Sequence, residues 1–236
     1  MIVSRESGRA RVQPAWQGRT VVCIASGPSL TESQLRAIEA ARAADALRVI
    51  AINDQYLVAP WADACYFADA RWWKRHEAGF ERRWDWARFS AKEVAAARAA
   101  FRGQWISITN GDEIKRDDVY VLKNAGGDGL SLDPGGICTG SNSGYQAINV
   151  AVLAGAKRVL LVGYDMQYAG ERTHSHDGHE HRQHVSVYHE FAVRFGTMAP
   201  ALEQLGVAVL NCTPRSRITA FPHADLVEAL ACAPGA

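Results

Sequence analysis

Short unbroken apolar runs alternate along this chain with longer stretches in which apolar residues recur at helical spacing. Thr20 to Ala25, Arg48 to Asn53 (Arg-Val-Ile-Ala-Ile-Asn), Asp63 to Asp69 and Arg158 to Val162 are of the first kind. They are apolar nearly throughout and hold many β-branched residues, which predicts strands covered on both faces. Trp105 to Thr109, Val119 to Lys123 and Val207 to Leu210 read as further short strands. Helices are predicted at Glu32 to Ala44, opened by a Thr31/Gln34 capping box, at Ala91 to Phe101, and at Tyr145 to Ala154, ended by Gly155. Val185 to Leu205 carries Tyr188, Phe191, Ala192, Phe195 and Met198 on one helical face, with Pro200 as an interruption. A last helix spans Ala224 to Ala231.

Strands and helices in alternation predict an α/β fold: a single Rossmann-like, mostly parallel sheet over residues 19–236, with helices on both faces and no internal repeat. Residues 1–18 hold Arg5, Arg9 and Arg11 among small polar residues and are expected to form a flexible tail.

Composition narrows the class. The chain has 236 residues, 48% of them hydrophobic, enough for one sizeable core. A formal net charge of +1 gives no general bias toward polyanions. No apolar run approaches a membrane span, and Met1 to Gly18 lacks the apolar core of a signal peptide, so no membrane partner is expected. The five cysteines are scattered and odd in number, which suggests reduced thiols in a cytoplasm. They form no Cys-x-x-Cys pair of the structural zinc kind.

The candidate chemistry lies where strands stop. Ser26-Gly27-Pro28-Ser29 breaks the first strand and leads toward a helix start, a place where backbone N–H groups can receive an anion. An ordinary strand–helix turn would read the same way. The loop is neither Gly-x-Gly-x-x-Gly nor a Walker sequence. Ser141-Asn142-Ser143-Gly144 closes a glycine-rich stretch and offers a second such helix start. Asn53 and Asp54, Asp69, and Asp165 follow the ends of other strands, and Arg215 follows the last. In an open parallel sheet that edge binds ligands.

Two further segments are unusual. Residues 71–105 interleave tryptophan with arginine, a composition that can stack bases, making DNA a candidate acceptor, or can form a cover whose tryptophans pack inward or against another subunit of a homo-oligomer. His174, His176, His179, His181 and His184 crowd one stretch, with His189 soon after. They match no standard zinc spacing. They read as a solvated loop, as metal ligands, or as a lid over about residues 168–188 that gives imidazoles to a phosphate or takes a proton from an acceptor.

Gly27-Pro-Ser-Leu30, Ala51-Ile-Asn53, and Ser143-Gly-Tyr followed by Ala-Gly-Ala-Lys-Arg-Val-Leu-Leu-Val-Gly-Tyr-Asp165 resemble a Rossmann-like superfamily. One branch holds bacterial sialyltransferases of the Campylobacter type, which use a CMP-activated sugar. The other holds the MptE-like 6-hydroxymethylpterin pyrophosphokinases. Gly163-Tyr-Asp-Met-Gln167 before a histidine loop also resembles uncharacterised prophage-encoded proteins. The likeness spans about Thr20 to Ser216 and implies a nucleotide or nucleotide-sugar donor. It sets Ser26 to Ser29 near the phosphate, Asn53 on the nucleotide, Ser143 beside the donor and His189 as catalytic base. Tyr168 falls one position from the family's donor tyrosine. Ala68-Asp69 replaces the sialyltransferase asparagine and suits the pyrophosphokinase branch, where Asp69, with Asp54 or Asp165, would hold Mg²⁺. The resemblance therefore implies a glycosyltransferase, with a Mg²⁺-dependent pyrophosphokinase or a non-catalytic phage-derived nucleotide-binding protein as alternatives.

Overall fold

The computed structural model describes residues 1–108, 114, 116–177 and 184–232. In place of the expected flexible tail, the chain opens with an antiparallel hairpin of β1 (Val3–Glu6) and β2 (Arg9–Val12). Ser7 and Gly8 turn it, both with positive φ, as a two-residue hairpin loop of the primed kind requires. Ile2, Val3, Val12 and Trp16 are buried against the main core. Gln104 holds the hairpin in register, accepting from Val3 N–H at 3.1 Å and donating to Val3 O at 2.7 Å. The apolar positions here are too few and too dispersed to show a period, which is why the sequence reads as a tail.

The main body follows in order. β3 (Thr20–Ile24) leads to α1 (Glu32–Ala43), β4 (Leu47–Ile52), a 3-10 turn at Asn53–Leu57, β5 (Ala64–Tyr66) and α2 (Ala70–Ala78). β6 (Arg82–Trp84), β7 (Arg88–Phe89), α3 (Ala91–Ala100), β8 (Gln104–Ile108), β9 (Val119–Gly126) and β10 (Gly136–Cys138) come next. Then come α4 (Ser143–Leu153), β11 (Arg158–Val162), β12 (His176–Asp177), α5 (Val185–Arg194), α6 (Ala199–Leu205), β13 (Ala208–Asn211) and α7 (Leu226–Ala231).

Eight strands form one sheet in the order β10-β9-β8-β5-β4-β3-β11-β13, and every neighbouring pair is parallel. Alternate residues of the central strands feed two cores. Val21, Cys23, Ile50, Ile52, Val159 and Leu161 join α4 and α6 on one face. Val22, Ile24, Val49, Ala51, Leu160 and Val162 join α1, α3 and α7 on the other. This is the doubly wound, Rossmann-like α/β arrangement, and it explains why these strands read as continuous apolar runs.

The capping box of α1 forms as expected: Gln34 N–H donates to Thr31 Oγ1 at 3.3 Å, and Thr31 N–H donates to Gln34 Oε1 at 2.9 Å. The long amphipathic helix does not run unbroken. A 3-10 segment at Phe195–Met198 separates α5 from α6, with Pro200 in the first turn of α6, where its missing N–H costs nothing.

The arginine- and tryptophan-rich segment packs inward. Trp73, Trp84 and Trp105 are buried, and Phe67 lies stacked 4.9 Å from both Trp72 and Trp73. Beside it β12, β6 and β7 form a small antiparallel sheet, in which His176 pairs with Trp84. Cys23, Cys65, Cys138 and Cys212 are free and buried, and Cys232 is free and exposed. No helix among the described residues is long and apolar enough to cross a membrane.

Candidate functional site

From β3 the chain steps to β4 on one side, whereas β11 lies on the other, so strand order reverses at β3. A cleft of about 370 Å³ opens beside the carboxyl ends of these strands, where an open parallel sheet binds ligands. Ser26 and Gly27 form one wall, and Ser141 to Gly144, at the start of α4, form another. The two turns that the sequence singled out thus share a single cleft. Asn53, Gly163 and Asp165 also line it. Asp69, Arg71 and Trp72 reach it from the start of α2, and Thr173, His174, Tyr188 and Phe191 from the histidine segment and α5.

The walls are fixed by close backbone contact. Gly27 donates its N–H to Gly163 O at 2.8 Å, joining the end of β3 to the end of β11. A Cβ on Gly27 would stand 1.9 Å from Asp165 Oδ2 and 2.4 Å from Gly163 O, so only glycine fits. Three non-glycine residues on the cleft wall, Asn53, Ser141 and Met166, have left-handed φ angles of 53°, 54° and 51°. Such conformations are held only where the surroundings impose them, and they gather at functional sites.

At the second turn Asn142 caps α4. Its Oδ1 accepts from Gly144 N–H at 2.8 Å and from Tyr145 N–H at 3.2 Å. The Ser143 N–H, also at the helix start, has no partner among the described residues and remains free for an anion. A second hollow of about 310 Å³ continues from Ser141, Asn142 and Ser143 toward Asn124, Thr139 and Gln146.

Asp165 is the acidic group held most closely against the first turn. Ser29 donates to it twice, from its N–H at 3.1 Å and from its Oγ at 2.8 Å. Burial nevertheless pushes the carboxyl up to about 6, because desolvation outweighs the two hydrogen bonds. Ser29 therefore acts through Asp165, and neither it nor Pro28 lines the cleft. The start of α1 is also elsewhere: the capping box takes its Thr31 and Gln34 N–H groups, and Ser33 and Gln34 line a separate hollow near Cys212. On the Ser26 to Ser29 side the cleft is met by the strand-end turn and not by a helix terminus.

Other expected site residues are corrected. Asp54 is 2% exposed and turned away from the cleft into a cluster with Trp72, His76, Arg82 and His176. His176 belongs to that cluster, 5% exposed, and is no part of an open acceptor lid. His189 is exposed on α5 and does not line the cleft, whereas Tyr188 and Phe191 on the same helix do. Tyr168 stands one layer back, edge-on to Tyr188 at 5.6 Å. Arg215 is exposed and does not line the cleft. His179 and His181 lie outside the described residues.

His174 lines the cleft, its Nδ1 2.8 Å from Thr173 Oγ1. The backbone before β12 is tied to the first turn, since Ser175 N–H donates to Ser26 O at 2.7 Å.

The carboxylates considered for Mg²⁺ do not assemble. Asp69 caps α2, accepting from Arg71 N–H at 2.8 Å with the Arg71 guanidinium 3.4 Å away. Asp54 and Asp165 are engaged as described, and no group of three metal-ligating side chains occurs among the described residues.

Arg71, Trp72, Met166, Gln167, Thr173 and Phe191 were missed as site residues. A signal existed for two of them: Phe191 shares a helical face with Tyr188, and Trp72 belongs to the conspicuous aromatic segment.

No family model and no curated protein matches the chain. Among solved structures it is similar to the sialyltransferase CstII from Campylobacter jejuni, determined in complex with cytidine-5'-monophosphate as a substrate analogue. The two share 12% identity, with a TM-score of 0.48, over 89% of this chain and 87% of that one, a likeness too distant to assign a residue or an activity.

Proposed function

We propose that the chain is a nucleotide-dependent transferase, moving a sugar from a CMP- or UDP-type donor to an acceptor hydroxyl. The observation that carries this reading is the meeting of the Ser26–Gly27 turn and the start of α4 in one cleft, where strand order reverses. The free Ser143 N–H and the Arg71 guanidinium receive the donor phosphate, where charge builds as the sugar departs. Asn53, held in its left-handed turn, faces the nucleoside. His174 is the base that takes the acceptor proton. Asp165, pushed up to about 6 by burial, stands at the same cleft. The sequence motifs at Gly27 to Leu30 and Ser143 to Asp165 point the same way.

Pyrophosphate transfer from ATP needs carboxylates gathered around Mg²⁺, and none of the contacts of Asp54, Asp69 or Asp165 favours that. DNA as the acceptor gains no support, because Trp73, Trp84 and Trp105 of the segment that suggested it are packed inward and Trp72 is bonded to Asp54.

Thermal stabilisation by CMP, UDP and ATP, each with Mg²⁺ or with EDTA, tests the proposal. A pyrimidine nucleotide is expected to raise the melting temperature, and the rise is expected to survive EDTA. Stabilisation by ATP alone, and only with Mg²⁺, would overturn it in favour of pyrophosphate transfer. No response to any nucleotide would remove the donor site altogether.

A further inference from the structure

Four side-chain nitrogens converge on one buried carboxylate beside the cleft. Trp72 Nε1 and His76 Nε2 each stand 2.8 Å from Asp54 Oδ1. Arg82 Nε stands 2.6 Å from Oδ2, and His176 Nε2 stands 3.3 Å from it. The cluster continues to the Tyr56 hydroxyl, 2.8 Å from His76 Nδ1, and the Phe80 ring lies under the Arg82 guanidinium at 4.1 Å.

Burial alone would push the Asp54 carboxyl up, but the His76 hydrogen bond and the charges of His176 and Arg82 hold it well below the ordinary carboxylate range. It is therefore an anion inside the protein. Burial lowers His76, against the pull of Asp54, so its ring stays neutral near pH 7, with Nε2–H donating to Asp54 and Nδ1 accepting from Tyr56.

A buried ion pair is a poor source of stability, because well-packed apolar groups of the same volume serve as well or better. What it supplies is direction: hydrogen bonds fix angle and register, where apolar contacts can slide. The groups it fixes here come from three separate segments, α2, β6 and β12. Two of these segments, α2 and β12, and the turn that carries Asp54 itself put a residue on the cleft wall; β6 does not. Asn53 immediately precedes Asp54 and Trp72 is itself bonded to it. His174 lies two residues before His176, with the two rings 5.5 Å apart. We infer that Asp54 is a positioning residue, setting where Trp72 and His174 stand on the cleft wall without touching the ligand.

The binding arm of the test rests on the proposed nucleotide site, and the spectroscopic arm does not. Full-length protein labelled at histidine and at the tryptophan indoles is compared with Asp54→Asn, His176→Ala and His176→Gln. Asp54→Asn is expected to move the Trp72 indole N–H and the His174 ring signals. His176→Ala is expected to move the His174 signal and to weaken affinity for the nucleotide that stabilises the wild type at least tenfold. His176→Gln keeps an N–H near the Nε2 position and is expected to recover affinity to within threefold of wild type. If Asp54→Asn does not fold, His176→Ala carries the test, since it removes one donor and leaves the Arg82 pair intact. An unchanged His174 signal in folded His176→Ala would overturn the inference, as would unchanged affinity. If the wild type binds no nucleotide, the proposed function fails separately and the His174 signal alone decides.

Discussion

Gly27 and Asp165 stand so close that a methyl group on the first would press 1.9 Å from a carboxylate oxygen of the second. This contact joins the end of the first sheet strand to the end of β11. Gly27→Ala must therefore push either the turn or the carboxylate aside. It is expected to cost about 2–3 kcal/mol in urea unfolding and to abolish nucleotide binding. Gly196→Ala, where a Cβ meets nothing within 4 Å, is the control and should change stability by less than about 0.5 kcal/mol.

The Asp165 carboxyl sets a pH dependence. Its value rises from 3.8 in the unfolded chain to about 6 in the folded one, so the folded state holds the proton more tightly. The stability this gives is complete below the unfolded value and is lost as pH climbs through the folded one. At most about 3 kcal/mol is involved, from roughly 1.4 kcal/mol per unit. Relative to Asp165→Asn, the wild type should lose stability between pH 4 and 6.5. Denaturation curves for both proteins across that range check this; parallel curves would refute it.

Asn142 separates capping from ligand binding. Asn142→Ala removes an acceptor used by two N–H groups and should cost about 1 kcal/mol of stability. Asn142→Asp keeps the cap and complements the helix end, so stability should hold. The new negative charge faces the phosphate, however, and nucleotide affinity should fall more than tenfold. Calorimetric titration of both variants distinguishes the two effects.

The two candidate bases make opposite forecasts. His174→Ala should reduce turnover at least a hundredfold with little change in nucleotide affinity. His189→Ala, on the exposed face of α5, should retain wild-type turnover. Steady-state kinetics with a sugar donor built on the nucleotide that stabilises the protein would decide, and the reverse outcome would return the base role to His189.

Removing residues 1–17 should abolish cooperative unfolding. Ile2, Val3, Val12 and Trp16 are each at most 6% exposed, and burying such side chains contributes roughly 1.5–3 kcal/mol apiece, a sum comparable to the whole stability of a typical domain. A truncated protein with a sharp thermal transition would contradict this.

The sheet was legible because both its faces are covered: β3, β4 and β11 carry no polar alternate, and their edges coincide with Gly, Asn and Asp. The cleft was legible in part for the same reason, since a strand that ends in polar residues at the ligand-binding edge declares itself. What could not be read was direction. Asn53 and Asp54 are adjacent polar residues after the same strand, yet one faces the cleft and the other an internal arginine, because the left-handed turn at Asn53 redirects the chain. His174 and His176 divide likewise, as the β12 pairing with Trp84 draws the second inward. β10, β12 and the hairpin strands are two to four residues long, too short for any period to show.

The strand order also bears on assembly. β3, near the start of the chain, lies between β4 and β11, and its Thr20 pairs with Arg158 of a strand made more than a hundred residues later. As the polypeptide leaves the ribosome, β3 can zip to β4 at once, but its other flank stays unpaired until β11 emerges. That bare margin, apolar but for Thr20, is the place where a nascent molecule is open to mispairing, and the cleft is completed only when the margin closes.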